Sequence, residues 1–139
     1  LGEEFSQEEP CFTRARDLLK KHILQFGHVK SFTEYANWLW RANILPVTSN
    51  QDFFGASIIE AVYCKNIPLL PNRLTYPELF NHENNQQYFY KSSDDLLVML
   101  ENIINDFNIL NHQNLHHIAN QFDWGNIVNS YDTTFSKMI

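Results

Sequence analysis

The stretch Asp52-Phe53-Phe54-Gly55-Ala56-Ser57-Ile58-Ile59-Glu60 has the greatest chemical content in the chain. It follows an apolar, strand-like run and leads into a helical one, so the amides of Gly55, Ala56 and Ser57 are expected to be free donors at a helix N-terminus. The partial positive charge of that terminus suits an anion, and a diphosphate in particular. Gly55 lacks a Cβ where a ligand or the backbone must come close. Glu60, one to two turns further on, would repel a phosphate but can accept two O–H bonds from a ribose. Asp52, before the turn, can hold sugar hydroxyls in the same way. A plainer reading makes Asp52 the cap of the helix and Glu60 a solvated surface acid, and spacing alone does not choose between them.

The elements that must position these residues follow from apolar periodicity. Ile44–Thr48 reads as a strand, with Pro46 marking an edge or a bulge because it removes one ladder donor. A loop, Ser49–Phe54, leads to a helix from Gly55 through Cys64 that packs through Ile58, Ile59, Val62 and Tyr63. Ile67–Pro71 is a third strand after Ile23–Phe26 and Ile44–Thr48, and Tyr88–Tyr90 a fourth beyond the polar loop 80–87. Ahead of these lies a helix over Glu8–His22, with Phe12, Ala15, Leu18, Leu19 and His22 as its stripe. Ser31-Phe32-Thr33-Glu34 is a capping box, and its helix should turn Tyr35, Leu39 and Ala42 inward with Trp38 or Trp40 at the edge. Toward the end, Ser93 with Asp94 and Asp95 opens a helix whose stripe is Leu96, Leu100, Ile103, Ile104 and Phe107. Leu115, Ile118, Ala119 and Phe122 form a shorter one, and Asp123 caps a last helix carrying Trp124, Ile127, Val128, Tyr131, Phe135 and Met138 on one side. Strands alternating with helices imply an α/β fold, a doubly wound, Rossmann-like parallel sheet whose ligands lie outside the carboxyl ends of the strands.

Composition narrows the class further. The 139 residues are 44% hydrophobic and 14% aromatic, enough for one packed core, which excludes disorder, collagen and coiled coil. No apolar run reaches the roughly 20 residues of a membrane span, and the acidic start LGEEFSQEEP is not a signal peptide. Two cysteines, Cys11 and Cys64, are too few for a disulfide framework and fit a reducing, cytoplasmic setting, with Cys64 serving core packing. The net charge of −6 makes the chain by itself a poor grip on nucleic acid. The basic residues Arg14, Arg16, Lys20 and Lys21 read as a solvated helix face, and Trp38, Trp40 and Trp124 as core or core-edge residues.

With these residues in view, DFFGASIIEAVYCKNIPLLPNRLTYPELF resembles the donor-binding signature of family-4 glycosyltransferases of the GT-B fold, whose E-x7-E motif stands here as Asp52-x7-Glu60. The flanks ILQFGHVKSFTEYANWLWRANIL and QFDWGNIVNSYDTTF are similar too, and VYCKNIPLLPNRLTYPELF looks most like the subgroup containing the tRNA-queuosine mannosyltransferases. The resemblance implies a retaining, metal-independent transfer of a hexose, with mannose as the subgroup's candidate, from a GDP- or UDP-sugar that is substrate rather than cofactor. It assigns Glu60 to the ribose, Asp52 to the donor sugar as the catalytic-site acid, and the amides of Phe54, Gly55, Ala56 and Ser57 to sugar and diphosphate. His28 and Val29 would line the base, largely through backbone, and Arg73 would add a phosphate contact, a surface salt bridge being its plainer role.

Two departures stand out. The first acid is Asp, shorter than Glu by about 1.5 Å, and Lys65 occupies a position where the family has Gly, so Asn66 is expected to take the left-handed cap. The resemblance further makes residues 1–139 a donor-binding domain without its first strand and without the N-terminal acceptor domain. The chain alone is then expected to be inactive, with the acceptor, tRNA by the subgroup, held elsewhere. Strands Ile23–Phe26 and Ile44–Thr48 would lose their neighbours, so they would pair directly or self-associate through exposed edges. Two other classes compete. One is a non-catalytic nucleotide-binding or interaction module using the same turn. The other is a metal site at His112, His116 and His117, where only the i, i+4 pair has ligand spacing and Asp123 reads as a cap.

Overall fold

The structure, a computed structural model, describes residues 10–109 and 113–138. The chain divides into two compact units, the first ending at Trp38 and the second beginning at Leu39.

In the first unit, α1 (Pro10–Leu19) has proline at its first helical position, where the missing amide costs nothing. None of its residues is buried, so the stripe of Phe12, Leu18 and Leu19 faces solvent rather than a core. Residues 23–26 form bends and coil, not the expected strand, and Leu24 is 75% exposed. A strand needs a ladder partner for its N–H and C=O groups, and these four residues have none among the described residues. Direct pairing with the strand at Ile44 is thereby ruled out. Instead Gln25 bonds locally to the carbonyls of Phe26 and His28, and the Arg16 guanidinium lies 4.6 Å over the Phe26 ring. The helix α2 (Phe32–Arg41) opens on one half of the capping box, Glu34 N–H donating to Ser31 Oγ at 3.2 Å, while the return bond is shifted by one residue, Glu34 Oε2 accepting from Lys30 N–H at 3.3 Å. Ala42 falls beyond the helix and is exposed, as is Trp40.

The second unit is built on a parallel sheet of β1 (Ile44–Pro46), β2 (Ile67–Pro71) and β3 (Phe89–Tyr90), in that order, flanked by helices in a Rossmann-like arrangement. β2 is buried along its whole length, and the paradox of two prolines in a central strand resolves through alternation. Ile67 N–H and Leu69 C=O face β1, so Pro68 and Leu70 face β3 and Pro71 faces β1 again. Pro68 precedes the start of β3 and Pro71 follows the end of β1, so neither is asked for a donor. Pro46 turns away from β2 on an edge strand, as its residue type implied.

Between β1 and β2 runs α3 (Ala56–Tyr63), which buries Ile58, Ile59, Ala61 and Val62 against β2 and α6 (Gln113–Asn120). It ends in a Schellman turn: Asn66 N–H donates to Ala61 C=O and Lys65 N–H to Val62 C=O. Lys65 itself takes the left-handed conformation at φ 69°, and Asn66 does not, because Asn66 is buried with its amide bonded to the carbonyls of Leu39 and Ala61. After the short α4 (Tyr76–Leu79), α5 (Ser93–Asn105) packs on β2 and β3. Its cap is Ser92, not Ser93: Asp95 N–H donates to Ser92 Oγ and Lys91 N–H to Asp95 Oδ2. Its inner face is Leu96, Met99, Leu100 and Ile103, while Ile104 and Phe107 turn out to solvent. Finally α7 (Trp124–Ser136) is capped by Asp123 as expected, yet its apolar side, including Trp124, Tyr131 and Phe135, is exposed among the described residues. Trp124 is thus no core residue.

Candidate functional site

Residues 48–57 connect the carboxyl end of β1 to α3, and hydrogen bonds at both ends fix their path. At the start, Arg73 clamps two carbonyls, with Nη2 at 3.3 Å from Thr48 O and 3.0 Å from Ser49 O, and Nε at 3.2 Å from Ser49 O. At the end, Asp52 Oδ1 accepts from Gly55 N–H at 2.7 Å and Phe54 N–H at 3.1 Å, while Oδ2 accepts from the Tyr76 hydroxyl at 2.8 Å. Tyr90 ties the end of β1 from across the sheet, its hydroxyl 2.7 Å from Val47 O.

Gly55 is buried and left-handed at φ 82°, the conformation that bends the chain into α3. Its carbonyl receives both Ile58 N–H and Ile59 N–H at 3.0 Å. Gly55 N–H is therefore not a free donor, contrary to expectation, and neither is Phe54 N–H: Asp52 has taken both. The amides of Ala56 and Ser57, both exposed residues, remain without a backbone hydrogen bond among the described residues, at the positive end of the helix. Asp52 thus fixes the turn ahead of the helix and is not its cap, contrary to the plainer reading: Gly55 is the N-cap, without a side-chain cap bond. An ionised carboxylate has about four acceptor sites, and three hydrogen bonds already converge on this one.

Glu60 stands on the exposed side of α3, and its charge, after burial, helps push the Cys64 thiol up from its ordinary pKa. Arg73 is a loop clamp on an exposed residue, and among the described residues it makes no salt bridge. Asp52, Gly55, Ala56, Ser57, Glu60 and Arg73 all belong to the second unit, whereas His28, exposed, and Val29, buried, belong to the first.

Three residues of this region are not singled out by motif. Tyr76 is completely buried, and its hydroxyl is pushed up to about 12, by burial first and then by the bond to Asp52, with Ser49 and Arg73 opposing. Ser49 matters through its carbonyl as well. Phe53, fully exposed, projects from the turn next to Phe54, which packs edge-on against Phe122 at 5.3 Å. A tyrosine three residues past an arginine after a buried strand is the signal that could have pointed to the first.

Elsewhere, a cavity of about 310 Å³ lies beyond β2 and β3, lined by Asn72, His82, Gln86, Phe89, Lys91 and Asp95. His112 lies outside the described residues, and the His116 ring stacks on Tyr63 at 5.3 Å. Among the described residues no group of three or more His, Cys, Asp or Glu could hold a metal ion, and no helix is long and apolar enough to cross a membrane.

Over 101 residues, 73% of its length, the chain is 32% identical to the tRNA-queuosine alpha-mannosyltransferase of Drosophila melanogaster. The chain is related to a glycosyltransferase. It spans about a quarter (26%) of that relative's length. No protein-family model matches the chain, and no solved structure does.

Proposed function

We propose that the chain is the nucleotide-sugar-binding part of a retaining glycosyltransferase, one that moves a hexose from a nucleoside diphosphate donor to an acceptor. The reading is carried by the two open amides of Ala56 and Ser57, offered at the carboxyl end of a parallel strand in a chain similar to a mannosyltransferase. In this proposal those amides meet the diphosphate, and the turn at Phe54 and Gly55 shapes the cradle without donating to it. Glu60 accepts from the ribose hydroxyls. Asp52 offers its remaining acceptor capacity to the donor sugar, as a catalytic-site acid held in place by its own hydrogen bonds. Arg73 adds positive potential while holding the loop. Mannose as the sugar and a tRNA as the acceptor come from the name of the Drosophila relative. Donor binding is proposed to need no metal ion.

Calorimetric titration with GDP, UDP and ADP, beside a Glu60→Ala variant, tests this directly. One nucleotide is expected to bind, and loss of the charged partner should weaken it on the order of 1.5–3 kcal/mol, roughly tenfold to a hundredfold. Equal affinity in the variant would remove the ribose assignment. Binding to none of the three would remove the donor site.

A further inference from the structure

Two atoms of Tyr76 define the shape of the turn. Its hydroxyl holds Asp52 Oδ2 at 2.8 Å, and its ring atom Cε1 lies 3.4 Å from where a Cβ on residue 55 would stand. With 0% of its surface exposed, it cannot touch a ligand. We propose that Tyr76 is a positioning residue for the donor cradle, acting through Asp52 and Gly55 to hold the turn that delivers the Ala56 and Ser57 amides to a diphosphate.

An Asp side chain readily accepts from the N–H groups two and three residues on, and Asp52 Oδ1 does so at Phe54 and Gly55. Gly55 caps α3 with no side-chain hydrogen bond, so the turn held by Asp52 ends where the Ala56 and Ser57 amides begin. Tyr76 supplies the other carboxylate oxygen, Oδ2, with a donor, which fixes the orientation of the carboxylate on Phe54 and Gly55. The neutral phenol suits the task, since a carboxylate accepts only. Removing the hydroxyl would leave a partly buried oxygen without its donor and free the carboxylate to turn.

The proposal rests on the donor-site reading, and its test separates the two. Tyr76→Phe keeps the ring and removes only the hydroxyl. The wild-type chain, Tyr76→Phe, Asp52→Asn and the double variant are titrated with UDP and GDP, and amide hydrogen exchange is followed at Phe54 and Gly55. Tyr76→Phe is expected to speed exchange at those two amides and to lower nucleotide affinity, each by about tenfold, the scale of one lost hydrogen bond. In the Asp52→Asn background it should add little, because both act along one path. Unchanged exchange at Gly55 overturns the proposal while nucleotide binding by the wild type keeps the donor reading intact. So does full additivity of the two substitutions, or nucleotide affinity untouched by Tyr76→Phe. A wild-type chain that binds neither nucleotide removes the donor reading, and the proposal with it.

Discussion

A Cβ at position 55 would stand 3.4 Å from both Tyr76 Cε1 and Leu79 Cδ2, and the backbone there is left-handed at φ 82°. Space is thus tolerable and conformation is not, so Gly55→Ala is expected to cost about 1–2 kcal/mol, the penalty for a Cβ in the left-handed region; urea unfolding would measure it. Tyr76 makes a second prediction at this scale. Its folded-state pKa of about 12 lies above the usual value for tyrosine, near 10. The neutral phenol is therefore favoured by folding. That contribution, on the order of 2–3 kcal/mol, is present in full below pH 10 and is lost as pH rises from 10 through 12. Stability measured across that window should fall more steeply for the wild type than for Tyr76→Phe. Equal slopes would contradict a phenol held neutral by burial and by its bond to Asp52.

Elements here begin and end by side-chain chemistry that can be altered singly. Lys65 occupies a left-handed position that glycine adopts without strain. Lys65→Gly is expected to stabilise the second unit by about 0.5–1 kcal/mol, somewhat reduced by the freer unfolded chain. A raised urea midpoint with an unchanged slope would be the result to look for. At α5 the hydroxyl of Ser92 accepts from Asp95 N–H at 3.1 Å, so Ser92→Ala should cost about 1 kcal/mol, and Ser93→Ala much less. That pair of variants decides which serine is the cap. Helix periodicity alone does not, because Ser92 and Ser93 are adjacent and assigning a boundary takes the hydrogen bond itself.

On the scale of the whole molecule, the charge of −6 bears on the acceptor. The Drosophila relative is named for a tRNA, yet phosphate-rich ligands are held by cations. The 139-residue chain is expected to bind tRNA more weakly than about 0.1 mM at physiological salt, below ordinary non-specific binding. Filter binding at two salt concentrations would check it, and micromolar affinity with a steep salt slope would place the acceptor surface on this chain. The two compact units also differ in how they bury apolar residues. The second has a continuous core around Ile67, Leu69, Leu70, Tyr76, Phe80 and Leu115, whereas α1 of the first buries nothing.

The residue types and spacing by themselves determined much of the second unit. The unbroken apolar run of β2, the glycine before α3 and the Asp cap of α7 are local signals, and each acts through neighbours a few residues away. The turn at Gly55 was legible for the same reason, although Asp52 holds Phe54 and Gly55 instead of capping α3. Tertiary structure alone decided whether Ile23–Phe26 became a strand, since pairing requires a distant partner, and whether the stripes of α1 and α7 were covered. It also decided what Arg73 and Tyr76 do. Each reaches more than twenty residues back along the chain to fix the turn, and no periodicity encodes a contact of that range.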